Sequence, residues 1–129
     1  MYTLLTLLAC SSALLQEGYT AQGGYYVVFE TNPDPIPYKE YFDVKVGVFT
    51  GAHQESLVTT VDVIVDATMP EHEHGMNVSP IHTIDENGYT IASGLEWFMT
   101  GEWQLEFYVT PQEGGPTETA FFPIECCKQ

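Results

Sequence analysis

The sequence predicts an all-β protein, an immunoglobulin-like antiparallel β-sandwich of about seven strands. Short segments rich in aromatic and β-branched residues recur between turn signals, which is typical of sandwiches. No apolar period of the helical kind persists for three turns. The 129 residues, 44% of them hydrophobic, suit one domain with a core of its own. The disulfide of a true immunoglobulin domain is not expected, since the cysteines lack its spacing.

The first half of the domain contains three predicted strands. Residues 25–31 are aromatic and β-branched, and residues 42–48 alternate apolar with polar or small side chains. Residues 58–67 form the third strand and present a row of valines on one face. Residues 32–37 must leave the sheet, because their three prolines lack the amide hydrogen that a strand donates.

The second half supplies the remaining strands, which we predict at residues 89–92, 95–99, 102–109 and 117–124. The Asn87-Gly88 pair indicates a hairpin turn before the first of them. Strand 102–109 alternates cleanly, and we expect Trp97 and Trp103 to pack in the core between the sheets. Strand 117–124 is expected at a sheet edge, because Pro123 cannot donate a hydrogen bond.

The charge of the chain limits its partners. Eighteen acidic residues face three lysines and no arginine, which gives a net charge of −15. Nucleic acid is therefore excluded as a partner, because phosphate binding needs Lys and Arg, and docking on anionic lipid is disfavoured. The charge favours cations, basic proteins or simple solubility. We predict that the protein is not an enzyme, since no Ser/His/Asp order, P-loop or nucleotide fingerprint is present.

The N-terminus contains an apolar run that ends in Leu-Leu-Ala followed by Cys10 and resembles a bacterial lipobox. The resemblance implies cleavage before Cys10, lipidation of its thiol, and export to the periplasmic side of the cell envelope. The run is shorter than the ~20 apolar residues needed to cross a bilayer. The expected division is a signal-like segment at 1–9, a lipid-anchor linker at 10–23 and the sandwich at 24–126. The alternative is that Leu4 to Leu8 form a first buried strand.

Residues 69–77 are the clearest candidate for a binding site. They hold two of the four histidines and two of the four methionines. Imidazole and thioether bind soft or borderline transition metals, copper above all. If the segment runs extended, His72, His74 and Met76 form one row, because residues two apart share a face of a strand. The glutamates between them would then face solvent and draw cations.

Further side chains are candidates for completing this site. A copper ion would take three or four ligands, to which His82, Met69 or Met99 would contribute. For zinc, which is the less favoured metal, the expected set is His72, His74 and His82 with a carboxylate from Glu71 or Asp85. The alternative is that Met-Pro is a buried corner, the histidines are solvated, and Gly75 serves a positive φ.

Cys126 and Cys127 are adjacent near the end of the chain. Neighbouring cysteines can bond to each other in a small ring, pair with another chain, stay reduced, or bind metal as thiolates. The sequence leaves these four alternatives open. With no second cysteine pair, it predicts no disulfide framework.

Several spaced motifs resemble the YtkA-like, or FixH-like, domain family. They are Ala67-x-Met69-Pro70, the following His/Met-rich turn, Gly88-Tyr89, and Met99-x-Gly101-x-Trp103. The resemblance covers residues 24–125 and implies a small immunoglobulin-like sandwich, exported or membrane-anchored in bacteria. Members of the family are often lipoproteins or are tied to respiratory-oxidase assembly and copper handling. The family's Met/His positions fall on Met69, His72, His74, Met76 and Met99. The Cys126-Cys127 pair has no counterpart in the pattern.

The sequence therefore predicts a lipid-anchored periplasmic protein that holds copper or delivers it to a respiratory or redox partner. The mechanism would be ligand exchange without chemical turnover. His72 and His74 would anchor the ion, and Met76 with Met69 or Met99 would tune its redox state. The alternative is a metal-free accessory or protein-interaction domain of a membrane complex.

Overall fold

The computed structural model describes residues 16–53 and 55–127, and this part of the chain is all-β without a helix. Its nine strands are β1 (Gln16–Tyr19), β2 (Tyr26–Asn32), β3 (Tyr41–Phe49), β4 (Val61–Met69), β5 (His74–Gly75), β6 (Ile81–Ile84), β7 (Thr90–Glu96), β8 (Gly101–Pro111) and β9 (Glu118–Cys126). The predicted signal-like segment at 1–9 and the lipidation site Cys10 lie outside the described residues.

The strands form two antiparallel sheets that pack as a sandwich. The first sheet has the order β1-β2-β3-β7-β6, and the second has the order β5-β4-β8-β9. Their inner faces meet at aromatic contacts such as Phe29 on β2 and Phe107 on β8, whose ring centroids lie 4.9 Å apart. The predicted all-β sandwich is confirmed. Strand β9 lies at a sheet edge, as the proline at position 123 predicted.

The core follows the predicted alternation along the strands. Val63 and Val65 on β4 and Leu105 on β8 point inward and are buried. Trp97 and Trp103 are fully buried, and their rings stack with centroids 5.1 Å apart and planes 3° apart. Burial of such core side chains removes apolar area from water, which is the main driving force for folding.

The hairpin between β6 and β7 forms at the predicted Asn-Gly turn. One carboxylate oxygen of Asp85 accepts hydrogen bonds from the Asn87 and Tyr89 amides, both at 2.9 Å. Gly88 has a φ of 93°, which glycine adopts without steric cost. The turn sets the pairing of β6 with β7 and thereby the position of every side chain on β6.

Three expectations about the strands are corrected by the structure. The described residues contain nine strands rather than about seven. Gln16–Tyr19 is a strand paired with β2, although the sequence placed it in the linker at 10–23. The segments predicted at 89–92 and 95–99 merge into one strand, Thr90–Glu96, and residues 97–99 lie outside it. Among the described residues, no helix has the length and apolarity needed to span a bilayer.

Candidate metal centre

The segment after β4 is a turn and not an extended strand. The amides of His72 and Glu73 donate hydrogen bonds to the Met69 carbonyl oxygen at 3.0 and 2.9 Å. Glu73 has a φ of 56°, so the positive φ falls on this residue and not on Gly75. The prediction that alternate side chains form one row across an extended segment is therefore wrong. Only His74–Gly75 forms a strand, β5, which pairs with the end of β4.

The turn nevertheless brings two predicted ligands together. The rings of His72 and His74 stack with centroids 5.8 Å apart and planes 23° apart. A ring nitrogen lies about 2.0–2.1 Å from a bound metal, so two imidazoles on one ion have centroids up to about 6.4 Å apart. The observed spacing is within that limit. The pair thus meets the distance requirement for two imidazoles that bind one ion.

One ring nitrogen of His74 contacts a backbone carbonyl oxygen. Its Nδ1 lies 3.3 Å from the Gly75 carbonyl oxygen. A carbonyl oxygen only accepts, so Nδ1 donates and carries the ring proton. The lone pair is then on Nε2. A ligating histidine has this arrangement, with one nitrogen held by a backbone oxygen and the other facing the metal.

An aromatic wall supports the His74 ring. Phe98 stacks on it with centroids 5.5 Å apart, and Trp103 meets it edge-on at 6.2 Å. Trp103 is itself fixed, because its Nε1 donates a hydrogen bond to the Met99 carbonyl oxygen at 2.9 Å. Sequence reasoning did not assign Phe98 to the site. No spacing rule predicts that contact, because Phe98 follows β7 in the other sheet.

Three methionines lie at the same end of the sandwich. Met69 is the last residue of β4 and is buried over Gly101, where an added Cβ would lie 3.0 Å from its Cε. Met76 and Met99 are partly buried and pack against the core. We call this region, made of His72, His74, Met69, Met76 and Met99, the His/Met end. It combines the imidazole and thioether groups that suit copper.

The structure does not bring His82 to the His/Met end. His82 lies on β6, in the other sheet, and its Nε2 accepts a hydrogen bond from the Val65 amide at 2.9 Å. Val65 precedes Met69 by four residues on β4, which is about 13 Å along a strand. Burial lowers the pKa of His82, which favours the neutral ring that this acceptor role requires. Its Nε2 lone pair is therefore occupied by the hydrogen bond from the β4 backbone.

The set of ligands expected for zinc is not assembled. Asp85 caps the β6–β7 hairpin, and its pKa is lowered chiefly by the hydrogen bond from the Tyr89 amide. It also lies 3.7 Å from the Lys45 Nζ. Across residues 16–53 and 55–127, no three His, Cys, Asp or Glu side chains are grouped to hold a metal ion. A site at the His/Met end therefore depends on methionine sulfur as well as imidazole.

An acidic cleft lies next to the turn. It has a volume of about 200 Å³, and Glu71, Glu102 and Pro70 are among the residues that line it. Glu71 and Glu73 are both exposed, as expected of residues that face solvent. Their charges give this end of the molecule a negative potential, which raises the local concentration of cations.

A buried acid lies on the outer face of the second sheet. Glu106 on β8 is buried, and its carboxylate accepts hydrogen bonds from Thr68, Gln104 and Tyr108 at 2.7, 2.8 and 2.7 Å. Burial and the contact with Glu106 raise the pKa of Tyr108 to about 12. The three donors satisfy this carboxylate, so it is a structural acceptor. The sequence did not single it out, because its outward position on the strand predicted exposure.

The fold is shared with copper-bound proteins of very different sequence. A copper-bound variant of FetP from uropathogenic Escherichia coli superposes with a TM-score of 0.57 at 4% identity, over 85% of this chain and 93% of that one. Copper-reconstituted P19 from Campylobacter jejuni gives 0.55 at 7% identity, over 85% and 92%.

FetP expressed in the periplasm of E. coli also matches, with a TM-score of 0.57 at 4% identity, over 88% of this chain and 96% of that one. No protein-family model matches this chain, and no curated protein sequence does. The YtkA-like assignment therefore stays a prediction. At these identities the similarity establishes the β-sandwich fold alone.

Proposed function

We propose that this protein is an exported copper-binding protein of bacteria that carries its ion at the His/Met end. The observation that carries the proposal is the pair of His72 and His74 rings, 5.8 Å apart, at the end of the sandwich where Met69, Met76 and Met99 pack in or against the core. The copper-bound neighbours in the same fold support it. Periplasmic location and a lipid anchor on Cys10 are parts of the proposal that rest on the sequence.

The donors suit an ion that changes oxidation state. Imidazole binds both Cu(I) and Cu(II), whereas thioether favours Cu(I). His72 and His74 would anchor copper, and Met76 with Met69 or Met99 would favour the reduced state. His72 and its chain neighbours Glu71 and Glu73 are all exposed, so the ion would be reachable from solvent. An accessible site suits ligand exchange with a partner, without chemical turnover, and the partner class we propose is a respiratory or other redox protein.

The experiment is a copper titration of the full chain against two matched variants. We expect about one equivalent of Cu(II) in the natural protein, because the two imidazoles provide its anchoring ligands. The His72→Ala/His74→Ala double variant should lose this binding. His53→Ala should keep it, because His53 lies in an exposed loop outside the His/Met end.

Two readouts decide the outcome. Bound copper should raise the melting temperature of the natural protein and the His53 variant but not of the double variant, because ligand that binds only the folded state stabilises it. No copper in any of the three proteins, with unchanged melting temperatures, would overturn the proposal.

A second candidate function is a metal-free interaction domain in a membrane complex. The observation that favours it is a pair of exposed isoleucines, Ile64 on β4 and Ile84 on β6, that line one surface cleft. They are 50% and 63% exposed. Apolar side chains grouped on a surface are typical of protein contacts. A protein that binds no copper yet co-purifies with a membrane complex, and loses that association when these isoleucines become serine, would favour this candidate.

A further inference from the structure

The cysteine pair lies at the His/Met end. Cys126 is the last residue of β9 and pairs with Gly101, the first residue of β8. Gly101 is the residue over which the Met69 side chain packs. Cys126 is buried, and Cys127 and Met99 pack against the same core cluster while remaining partly exposed. Strand pairing therefore places Cys126 across from the glycine that Met69 covers, at the end of the molecule proposed to carry copper.

The disulfide between Cys126 and Cys127 stabilises no long loop. It joins neighbours in the chain, so no segment is enclosed between them. In the chain-entropy account, the stabilisation from a disulfide grows with the number of residues that the bond encloses. This bond therefore contributes little as a crosslink. Its distinctive property is chemical, because a reductant that supplies two electrons converts it into two thiols.

We propose that Cys126 and Cys127 form a redox-gated binding site for Cu(I). The disulfide lacks thiolates and is a poor ligand, whereas the reduced pair supplies two thiolates, which select soft monovalent copper. The inference rests on the proposed function for the identity of the cargo but uses different ligands. Cu(I) released from the histidines would thus find sulfur donors nearby only under reducing conditions.

The reductant is a dithiol of a partner protein. Its thiolate attacks a sulfur of the pair, and Cys127 is the more exposed of the two residues. The S–S bond breaks and a mixed disulfide forms. The second thiol of the partner then closes the partner's own disulfide, so that Cys126 and Cys127 gain two electrons and two protons in total. Binding of Cu(I) displaces protons from the sulfurs.

The test compares the two redox forms of one protein. The full chain carrying Cys10→Ser has no third thiol. Under anaerobic conditions, half of the protein sample is reduced with a phosphine and then desalted. The phosphine is oxidised to its oxide, with oxygen taken from water. Both halves are titrated with Cu(I) against a chromogenic chelator. The reduced form should bind about one more equivalent of Cu(I), with an ultraviolet thiolate-to-copper band.

Two variants separate this site from the histidine site. The redox-dependent equivalent should vanish in Cys126→Ser/Cys127→Ser and persist in His72→Ala/His74→Ala, both in the Cys10→Ser chain. Equal Cu(I) binding by the two redox forms would overturn the inference, as would loss of the extra equivalent in the histidine variant. Because the two redox forms share one sequence, the comparison remains decisive even if the cysteine variant folds poorly. If the chain that keeps both histidines bound no Cu(II) but still showed the redox-dependent Cu(I) equivalent, the proposed function alone would be overturned.

Discussion

His74 and His82 lie beside the same strand, β4, and use their ring nitrogens differently. His74 is opposite Met69 at the end of the strand, where its Nδ1 is held by the Gly75 carbonyl oxygen and its Nε2 lone pair is available. His82 lies against the middle of the strand, where its Nε2 accepts the Val65 amide. A histidine is thus a candidate ligand only when a ring nitrogen keeps its lone pair free of other hydrogen bonds, whatever the residue type suggests.

The difference has a structural origin. At its end, β4 has β5 as a neighbour, so its backbone groups there are paired by another strand. Farther along, the side chain of His82 reaches from the edge of the other sheet to the Val65 amide. A buried amide without an acceptor is costly, and His82 removes that cost by serving as one. His82 thereby joins the two sheets.

The largest expected effect is on copper affinity. His74→Ala should weaken Cu(II) binding by more than the about 10–100-fold that loss of an outer-shell partner costs, because it removes a ligand itself. His82→Ala should leave the affinity unchanged, since its nitrogen serves the Val65 amide. Competitive titration with a calibrated chelator measures both constants. Equal losses of affinity in the two variants would contradict the assignment of His74, and not His82, as a copper ligand.

The next largest effect is on stability, where His82→Ala should have a larger effect than His74→Ala. His82→Ala should lower the free energy of unfolding by about 1–3 kcal/mol, because the Val65 amide loses its acceptor. In the metal-free protein, His74→Ala should lower it by about 0.5–1.5 kcal/mol, the scale of a ring-stacking contact. Urea denaturation at neutral pH measures both values. His82→Gln is the matched control, because its carbonyl oxygen can accept the same hydrogen bond and should restore part of the loss.

The smallest effect is the pH dependence that His82 contributes. Burial is the main cause that holds its pKa below the ordinary value of 6.5, and the negative charge of Asp66 acts in the opposite direction. The unfolded chain therefore takes up a proton before the folded protein does, and stability falls as pH falls. The contribution is fully present above pH 6.5 and is lost as pH decreases below it.

Comparison with a non-titrating variant isolates this contribution. The difference in unfolding free energy between the natural protein and His82→Gln should shrink between about pH 8 and pH 5, the range in which histidine titrates. His53→Ala, which alters an exposed histidine, should follow the natural protein through this range. A constant difference between the natural protein and the glutamine variant would show that His82 does not titrate with a lowered pKa.

Local sequence was sufficient for much of the sandwich. The alternation along β8, the Asn87-Gly88 turn and Pro123 on an edge strand each reflect a rule of backbone geometry that acts within a few residues. Strand β1 was missed because Gln16–Tyr19 has no clear apolar alternation. Strand β5 was missed because two residues carry no period at all.

The candidate site was predicted only in part. The residue types of the 69–77 segment indicated copper, but their alternation suggested a strand where the chain turns. A local signal for the turn was present in Pro70, since proline is favoured at the second position of a type I turn. The rings of His72 and His74 still lie together, but the turn brings them together and not the alternation of side chains along a strand.

The sequence by itself determined the fold class, the acidic surface and the kinds of donor available, because these follow from composition and short-range periodicity. Tertiary structure decided which donors meet. Contacts between distant strands decide three features of the site. They place Phe98 against His74, bring His82 Nε2 to the Val65 amide, and put Cys126 opposite Gly101. Such contacts arise from the packing of two sheets and their registers, which no local pattern of residues encodes.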